Sequence, residues 1–494
     1  MKDYVRGMVL DPIVCRQAIL AKDARFDGRF FTGVTSTGIY CRPVCPARPP
    51  KAENCRYYPT AAAAQAAGFR PCLRCRPETA PGQGAWRGAS NTVSRGMALI
   101  DSGAMDEAGV DKLADRLGVG ERQLRRLFLR HLGASPIAVA QTRRVLIAKQ
   151  LIHETDLPMA EIALAAGFGS VRRFNETMRA LFGRAPTELR RSLGRGASAE
   201  AGITLSLGFR PPFDWDAVLQ FLVLRAIPGV ERIEDGVYRR SIDMDGAAGT
   251  LAVAHQPERN RLRVTIRFPQ LAALPRIIAR VRQMFDLDAD PEAIGQALSR
   301  DRRLAPLVAA RPGLRTPGAW DGFELAVRAI LGQQITVTAA TKLAGAIAAR
   351  WGEPIEMDGL TRLFPRAEAL ATAVIAGMPG SRAASISRLA ERVGAEPGLF
   401  ERGPDLAATI SKLRALPGIG EWTAHYIAMR ALREPDAFPA ADIGLMRAMD
   451  DGHGRPSPAQ LLDDSQAWRP WRAYAALHLW TAPNLKETSR AIAA

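Results

Sequence analysis

The chain has 494 residues, of which 47% are hydrophobic and 24% are charged. This composition is typical of a folded globular protein, and the length predicts roughly three or four domains. No apolar run approaches the ~18–20 residues of a membrane span, and the start, Met1-Lys2-Asp3-Tyr4, lacks the apolar segment of an export signal. These features predict a protein that neither spans a membrane nor is secreted, with a cytoplasmic location.

The net charge of +17 is concentrated in one part of the chain. Residues 1–200 carry +13 of it, and residues 201–494 carry +4. A basic surplus raises the local concentration of polyanions, and nucleic acid is the usual one. On charge alone, an arginine-rich soluble protein without a nucleic-acid partner is an equally good explanation.

Changes in sequence pattern predict where the domains lie. Residues 1–80 are turn-rich and cysteine-dense, and a linker of small and polar residues is predicted over 81–96. A helical, arginine-rich segment follows over 97–193, and a second linker over 194–202. In 261–268 apolar and polar residues alternate, as in a half-buried strand.

The strand at 261–268 follows residues 250–255 across the turn Pro257-Glu258-Arg259-Asn260, so an antiparallel hairpin is predicted. After about residue 287 the apolar spacing is helical to the end of the chain.

All six cysteines lie in the first 75 residues, and four of them have metal-ligand spacing. Cys41 and Cys45 form a C-x3-C pair, Cys72 and Cys75 form a C-x2-C pair, and 26 residues separate the pairs. Four thiolates spaced in this way predict a tetrahedral zinc site with Zn–S distances of about 2.3 Å. Such sites are most often purely structural, and spacing alone does not establish any other role.

A reactive role requires one thiolate to be nucleophilic. Zinc keeps its thiol ligands ionised near neutral pH, so a centre with four of them formally carries two negative charges. Basic neighbours are candidates for holding a phosphate against this centre: Arg42, Arg48, Lys51, Arg70, Arg74 and Arg76. Methylation of one sulfur would remove one negative charge and lower the repulsion between the centre and DNA phosphates.

Two stretches surround the cysteine pairs, Thr37-Gly38-Ile39-Tyr40-Cys41-Arg42-Pro43-Val44-Cys45-Pro46-Ala47-Arg48 and Ala67-Gly68-Phe69-Arg70-Pro71-Cys72-Leu73-Arg74-Cys75. They resemble the amino-terminal domain of the Ada family of adaptive-response proteins over nearly all of 11–79. The resemblance implies one zinc ion held by Cys41, Cys45, Cys72 and Cys75. It also implies that Cys41 irreversibly accepts a methyl group from a DNA methylphosphotriester. Cys15 and Cys55 lie outside the motif and are expected to be ordinary thiols.

The arginine-rich segment contains two predicted helix-turn-helix units. In the first, apolar residues at helical spacing in 110–133 are interrupted by Gly118. In the second, helices are predicted over 159–166 and 171–182, with Ser170 as the N-cap of the latter. The second helix of each unit carries arginines that can reach bases or phosphates: Arg122, Arg125, Arg126, Arg172 and Arg173. A helical bundle that does not bind DNA is the alternative.

Within 163–190, Ala166-Gly167-Phe168, Phe174, Phe182-Gly183 and Pro186 resemble the DNA-binding domain of AraC-type regulators. In the Ada family such a domain directly follows the zinc domain, as it does here. The resemblance implies binding to promoter DNA. Gly120 departs from the pattern, because a serine-like cap is common at its position.

The segment Leu416-Pro417-Gly418-Ile419-Gly420 separates two predicted helices. Glycine permits positive φ angles and close approach of another backbone. The N–H groups at the start of the second helix favour an anion. A helix-hairpin-helix that holds DNA phosphate through Gly418 and Gly420 is therefore predicted, and a plain turn is the alternative.

Asp442 lies 24 residues beyond Gly418, at the predicted start of the next helix. An isolated Asp at such a position is usually an N-cap. Together with the hairpin, it fits the carboxylate of a base-excision glycosylase, which stabilises positive charge at the sugar C1′ or helps water attack. Trp422 stands two residues after Gly420, where strand-cutting enzymes of this superfamily have a lysine nucleophile, so hydrolysis without a Schiff base is predicted.

A purine alkylated at N3 or N7 is cationic and already a good leaving group. Its enzyme needs no strong general acid, but it does need electron-rich rings that stack on the flipped-out base. Trp422, Tyr426 and Trp480 are candidates for these rings. Packing in the protein core is the alternative role for each of them.

Residues 203–484 resemble the AlkA-type 3-methyladenine DNA glycosylase II, a helix-hairpin-helix enzyme. The matching stretches are Pro211-Pro212-Phe213-Asp214-Trp215, Ala326-Val327-Arg328-Ala329-Ile330-Leu331-Gly332-Gln333-Gln334, 416–424, Trp471-Arg472-Ala473-Tyr474 and Leu477-His478-Leu479-Trp480. The resemblance implies that Asp442 is catalytic and that Trp422, Tyr426 and Trp480 line the pocket. It places Gln334 where a leucine wedges into the duplex.

These patterns together predict a multidomain protein, mainly α with α+β parts. Its predicted domains are a small zinc–tetrathiolate α/β domain at 1–80, an AraC-type double helix-turn-helix domain at 97–193, an antiparallel sheet subdomain at 203–287 and an all-α helix-hairpin-helix glycosylase domain at 288–494.

The predicted function is bifunctional. The glycosylase hydrolyses the N-glycosidic bond of bases such as 3-methyladenine and 7-methylguanine, and methyl transfer to Cys41 switches on transcription. Zinc is the predicted cofactor, with none for the glycosylase reaction. Alkylated and promoter double-stranded DNA and RNA polymerase are the predicted partners of a nucleoid-associated monomer. The alternative is a transcriptional regulator whose glycosylase-like half is catalytically inert and only binds DNA.

Overall fold

The computed structural model describes residues 10–82, 91–106, 108–193, 202–396, 398–450, 452 and 454–482. Contacts divide the chain into two compact units. One is formed by Met1–Pro211 and Gly236–Arg282, the other by Pro212–Asp235 and Gln283–Ala494. In the part of the chain that is described, no helix combines the length and apolar character needed to cross a membrane. The predicted fold class, multidomain and mainly α with α+β parts, is confirmed.

The first unit begins with a small sheet and two helices. Its elements are α1 (Pro12–Ala21), β1 (Phe31–Val34), β2 (Ile39–Cys41), β3 (Cys55–Tyr58), α2 (Ala61–Ala66) and β4 (Arg70–Pro71). The strand order is β3-β1-β2-β4, with β4 parallel to β2. Because β2 ends at Cys41 and β4 leads directly into Cys72, this parallel pairing brings the two cysteine pairs to the same edge of the sheet.

The next part of the first unit is helical. Its elements are α3 (Asn91–Asp101), α4 (Val110–Leu117), α5 (Glu121–Leu132), α6 (Pro136–Glu154), α7 (Met159–Ala165), α8 (Val171–Phe182) and α9 (Pro186–Leu193). The pairs α4–α5 and α7–α8 form the predicted helix-turn-helix units. Gly118 ends α4 at φ 69°, and the Ser170 hydroxyl caps α8 by accepting from Arg173 N at 3.1 Å. Gly120 precedes α5 without a side-chain cap.

The predicted linker over 81–96 is wrong at its carboxy-terminal end, because α3 begins at Asn91. Val93 and Ile100 are buried, and a Cβ on Gly96 would lie 2.9 Å from the Phe128 ring of α5. The small residues therefore permit close helix packing rather than a flexible connection. Residues 83–90, and all of the second predicted linker except Gly202, lie outside the described residues.

Residues 203–284 contain β5 (Ile203–Gly208), α10 (Trp215–Val223), β6 (Glu231–Glu234), β7 (Val237–Met244), β8 (Ala247–Gln256), β9 (Arg261–Arg267) and α11 (Leu274–Met284). Four of these strands belong to the first unit and form a second sheet there, antiparallel in the order β5-β9-β8-β7. Val253 pairs with Val264, so the predicted hairpin across 257–260 is confirmed.

Three parts of the first unit meet at the short 3-10 helix Pro77–Thr79, which follows the last cysteine. Here Lys149 of α6 donates to Glu78 at 2.6 Å, and both side chains are 1% exposed. Arg76 forms ion pairs with Glu78 and with Glu154 of α6. A Cβ on Gly208 of β5 would lie 2.1 Å from the Thr79 carbonyl oxygen, so only glycine allows this approach.

The second unit is mainly helical. After α10 and β6 its elements are α12 (Pro291–Leu298), α13 (Leu304–Ala310), α14 (Gly322–Leu331), α15 (Val337–Trp351), β10 (Pro354–Met357), β11 (Leu360–Arg362), α16 (Ala367–Ala371), α17 (Gly380–Ala395), α18 (Leu406–Arg414), α19 (Glu421–Arg430), α20 (Ile443–Ala448), α21 (Pro458–Asp464) and α22 (Arg472–Thr481). Helix α19 packs against α14 and α18, and its residues Ala424, Ile427 and Ala428 are fully buried in the core.

The expectation that this part is helical throughout is wrong at the hairpin β10–β11. Asp358 and Gly359 connect its strands with φ 55° and 74°, the positive values of a two-residue Asp-Gly hairpin turn. Strands of only four and three residues are too short to show a period-two pattern, so Asp-Gly was the available signal.

Candidate functional site

The four predicted metal ligands form one cluster. The sulfur atoms of Cys41, Cys45, Cys72 and Cys75 all lie within 4.8 Å of one another. A tetrahedral ion with Zn–S distances of about 2.3 Å requires sulfur–sulfur separations of about 3.8 Å. The cluster therefore fits zinc in both donor type and size. Cys72 and Cys75 are buried, whereas Cys41 and Cys45 are partly exposed.

Backbone N–H groups point at the buried pair of sulfurs. Arg42 N lies 3.4 Å from Cys75 Sγ, and Arg74 N lies 3.3 Å from Cys72 Sγ. Hydrogen bonds from N–H groups favour the ionised form of an acceptor. The buried cysteines thus form a fixed base for the cluster, and the partly exposed Cys41 is accessible to a reactant.

Two of the six basic neighbours are not available to a phosphate, contrary to the prediction. Arg42 is 7% exposed, forms an ion pair with Asp27, and donates to Thr79 Oγ1 at 2.6 Å. Arg76 is held by its two glutamate partners. Both arginines are used for internal packing because the chain folds back over them. Arg48, Lys51 and Arg74 are exposed and Arg70 is partly exposed, so these four remain candidates.

The other two cysteines lie outside the cluster. Burial, together with the charge of Asp11, raises the pKa of the Cys15 thiol to about 11. Cys55 Sγ donates to the Lys51 carbonyl oxygen at 3.3 Å. Both features are typical of protonated thiols that pack in the interior.

The predicted recognition helices α5 and α8 have a buried apolar face and an exposed arginine face. Leu124 and Phe128, and correspondingly Phe174 and Met178, are fully buried. The five predicted DNA-contacting arginines are all exposed: Arg122, Arg125, Arg126, Arg172 and Arg173. Arg172 pairs with Glu176 at 2.8 Å, a contact between two highly exposed side chains that contributes little to stability.

The predicted hairpin joins α18 to α19, with both glycines exposed. Gly418 has φ 80°, and a Cβ there would lie 2.3 Å from Ser385 Oγ. Gly420 has an extended backbone, φ −78° and ψ 179°, and precedes α19 as its N-cap. Only Gly418 therefore requires glycine for its conformation, and Gly420 leaves the helix N-terminus open to an anion.

Asp442 is the N-cap of α20 and at the same time the centre of a polar site. Its Oδ1 accepts from Leu445 N and from Trp480 Nε1, each at 2.9 Å. Its Oδ2 accepts from Trp422 Nε1 at 2.9 Å. The carboxylate is therefore fixed by two indoles and one backbone N–H, and it stays partly exposed. The capping and catalytic interpretations of Asp442 are compatible.

The three predicted pocket aromatics are partly exposed, and two of them, Tyr426 and Trp480, also pack against the core. The rings of Trp422 and Tyr426 are stacked, with centroids 5.2 Å apart and an interplanar angle of 9°. Trp480 joins them through its hydrogen bond to Asp442. The geometry thus places flat aromatic surface beside a fixed carboxylate.

Gln334, the predicted wedge residue, is exposed and has φ 58°. Its neighbour Gln333 donates from Nε2 to the Gly418 carbonyl oxygen at 2.8 Å and lies 3.3 Å from Thr423 Oγ1. Gln333 therefore ties the segment that contains Gln334 to the hairpin. The sequence analysis missed this role, although Gln333 lies in a stretch that carried the family resemblance.

Three family models match the chain. They are the metal binding domain of Ada over 14–78, a helix-turn-helix domain over 113–192 and the AlkA N-terminal domain over 204–321. A solved 3-methyladenine DNA-glycosylase from Archaeoglobus fulgidus is similar over 56% of this chain and 96% of its own, with 25% identity and a TM-score of 0.50.

Curated relatives match different shares of the chain. DNA-3-methyladenine glycosylase 2 of Escherichia coli is 34% identical over 56% of this chain and 96% of its own length. The probable bifunctional transcriptional activator/DNA repair enzyme AlkA of Mycobacterium tuberculosis is 43% identical over 94% of this chain and 95% of its own length. The chain therefore belongs to the family of bifunctional transcriptional activator/DNA repair enzymes of the AlkA type.

Proposed function

We propose that this protein both removes alkylated bases from DNA and senses methylated DNA phosphates. In this proposal the domains at 203–287 and 288–494 form a glycosylase. The zinc domain at 1–80 accepts a methyl group, and the helix-turn-helix domain at 97–193 binds promoters. Membership of the bifunctional AlkA family supports this division of labour.

The observation that carries the glycosylase assignment is the fixed carboxylate of Asp442 beside the stacked Trp422 and Tyr426. When the bond between C1′ and the base lengthens, positive charge develops on the sugar, and a preorganised carboxylate stabilises it. The alkylated base leaves with the bonding electrons, which neutralise its own positive charge. Water then adds to C1′ and loses a proton.

The proposed reaction is hydrolysis only. Its proposed substrates are purines alkylated at N3 or N7, such as 3-methyladenine and 7-methylguanine. Trp422 occupies the position of the lysine nucleophile in strand-cutting enzymes, and its indole N–H is engaged by Asp442. An indole cannot form a Schiff base with C1′. The glycosylase reaction therefore needs no cofactor.

At the other site, Cys41, Cys45, Cys72 and Cys75 are proposed to hold one zinc ion, which would keep their sulfurs ionised. The Cys41 sulfur attacks the methyl carbon of a DNA methylphosphotriester. An S–C bond forms, the C–O bond breaks, and the phosphodiester leaves as an anion. The thioether lowers the negative charge of the cluster by one, which favours DNA binding and transcription activation.

We further propose that the protein acts as a monomer on double-stranded DNA in the cytoplasm, associated with the nucleoid, and that it contacts RNA polymerase at activated promoters. The exposed arginines of α5 and α8 support the contact with promoter DNA.

Release of 7-methylguanine from duplex DNA tests the glycosylase assignment. The wild-type protein should release the base, and Asp442→Asn should do so on the order of 100-fold more slowly, because it removes the negative charge. Asparagine is also a good N-cap, so α20 should persist, and an unchanged melting temperature would verify this. No release by the wild type, or equal release by the variant, would favour the regulator with an inert glycosylase half.

Intact-mass measurement after incubation with methylphosphotriester DNA tests the second activity. A single adduct of one methyl group at Cys41 is expected, and Cys41→Ser should acquire none. If the adduct is missing, or maps to another cysteine, the zinc site has only a structural role.

A further inference from the structure

Arg430 lies one helical turn after Tyr426 on α19 and is 5% exposed. Its Nε donates to the Pro317 carbonyl oxygen at 2.8 Å, and its Nη2 donates to the Gly318 carbonyl oxygen at 3.0 Å. Its Nη1 donates to the Tyr426 hydroxyl at 2.7 Å. Because Nε and Nη2 are both bound to backbone carbonyls, the plane of the guanidinium is fixed. The Nη1 donor therefore has a fixed direction, and it holds the Tyr426 hydroxyl in place.

This arginine also belongs to a series of stacked groups that continues the aromatic pocket inward. The Arg430 guanidinium lies 5.4 Å from the centroid of the Tyr426 ring and 4.5 Å from that of Phe221. The Arg225 guanidinium also lies over Phe221, 3.8 Å from the centroid of that ring. The stacked rings of Trp422 and Tyr426 thus have two cations nearby, Arg430 close to Tyr426 and Arg225 close to Phe221.

The charged groups that face Tyr426 come from three elements. Arg430 is on its own helix α19, Arg225 follows α10, and Arg328 is on α14. Arg328 is partly neutralised by Glu231 and Glu324, at 2.9 and 3.0 Å. Burial raises the pKa of Tyr426, but Arg430 and then Arg225 outweigh it and lower this pKa to about 8. Arg430 also stabilises the phenolate by donating a hydrogen bond to its oxygen.

We propose that Arg430 is a positioning residue, and that the Arg430–Tyr426 pair gives the base pocket a titratable charge which strengthens its hold on cationic bases when Tyr426 is a phenolate. The proposal rests on the glycosylase function proposed above. A neutral phenol attracts a cationic purine through its ring quadrupole, and a phenolate adds direct charge attraction. The pocket then distinguishes cationic from neutral bases more strongly at mildly alkaline pH.

The ionisation itself can be measured without any glycosylase activity. Phenolate absorbance near 295 nm is titrated for the full-length protein, and the Tyr426→Phe curve is subtracted. The difference is expected to show one phenol that ionises near pH 8. In Arg430→Gln this step should move above pH 9, whereas Arg430→Lys should keep part of the shift. A difference curve with no step below pH 9.5 in the wild type overturns the proposal.

The catalytic consequence is measured with duplexes that carry 7-methyladenine, a cation without a ring N–H to lose, or 1,N6-ethenoadenine, which is neutral and also has no ring N–H. Between pH 7 and pH 9 the KM for the 7-methyladenine duplex is expected to fall roughly three- to tenfold in the wild type, with little change in kcat. Tyr426→Phe should abolish this fall, and the 1,N6-ethenoadenine duplex should show none.

Equal pH profiles for the wild type and Tyr426→Phe on 7-methyladenine overturn the proposal. If the wild type releases no base at all, the glycosylase function fails instead. The absorbance titration then still decides whether the Arg430–Tyr426 pair ionises as described.

Discussion

The cysteine cluster and the Asp442 site both hold negative charge with N–H donors, but the donors are of different kinds. At the cluster, the N–H groups on Cys72 and Cys75 come from the backbone. At Asp442, two of three come from tryptophan side chains. Since a side-chain substitution cannot remove a backbone donor, the cluster is sensitive mainly to loss of its ligands. The Asp442 site, in contrast, is expected to be sensitive to loss of its donors.

Substitution of a buried ligand should have the largest effect. Cys72→Ser should lower zinc affinity on the order of 10²–10³-fold, because structural zinc contributes about 10–16 kcal/mol shared among its ligands. Cys41→Ser should lose less, since water can replace the partly exposed thiolate. Zinc content by elemental analysis and thermal melting would measure both. Equal loss in the two variants would contradict the view that the buried pair is the base of the site.

Removal of an indole donor should have the next largest effect, confined to the glycosylase. Trp422→Phe and Trp480→Phe each keep a ring but delete one hydrogen bond to Asp442, and each should lower kcat on the order of tenfold. Trp468→Phe is the control, because it also deletes an indole hydrogen bond to a carboxylate, but that of Asp301, at 2.7 Å, instead of Asp442. A similar loss of kcat in the control would show that general destabilisation is responsible.

Acidification should destabilise the second unit through two histidines, of which His478 is buried and His425 is partly buried. Burial is the main cause that lowers the pKa of His425 and of His478 to about 4, from an ordinary 6.5. Between these values the unfolded chain binds more protons than the folded one, so the free energy of unfolding falls as pH decreases from 6.5 to 4. The loss should be about 1–2 kcal/mol per histidine at pH 5.

Urea unfolding at pH 7.5 and pH 5 compares the wild type with His425→Gln/His478→Gln. At low pH protons compete with zinc for the cysteine sulfurs. This effect is the same in both proteins, so it cancels in the comparison. The double variant should show the smaller loss on acidification, and an equal loss would mean that these histidines do not set the acid sensitivity.

The smallest effect is expected at Gln334. Because Gln334 has φ 58°, Gln334→Gly removes the side chain without adding backbone strain. If this side chain fills the space left by the flipped base, the glycine variant should lose roughly two- to fivefold in activity on duplex DNA and nothing on single-stranded DNA. Gln334→Leu should match or exceed the wild type. A loss that is equal on both substrates would argue against a wedge.

Features that arise from residue spacing within one short segment could be predicted from the sequence. The cysteine pairs, the Gly418 turn and the capping position of Asp442 all have local signatures, and the structure places them accordingly. The Asp-Gly turn of β10–β11 also has a local signature, but it was overlooked because its strands are very short.

Contacts between distant segments were not predictable in this way. Arg42 was assigned to phosphate because a basic residue beside a cysteine carries no sign that Asp27 will cover it. Gln333 reaches Gly418 from 85 positions away, and Arg430 meets carbonyls more than 110 positions away. The pattern of residues in one segment does not show which distant side chains it will contact. These contacts could therefore be identified only from the folded structure.

The ion pairs around Glu78 and the close approach of Gly208 have a consequence for how such a chain arises by gene fusion. In a fusion whose helix at the position of α6 lacks a counterpart of Lys149, Glu78 stays buried but keeps only Arg76 as a cationic partner. Breaking such a buried ion pair costs up to about 3–5 kcal/mol. Exchange of a zinc domain between relatives must therefore carry the matching residues of α6 and β5 with it. The sequence suggests that the zinc domain can be exchanged at the linker after residue 80. The structure shows that its contacts with α6 and β5 must be kept as well.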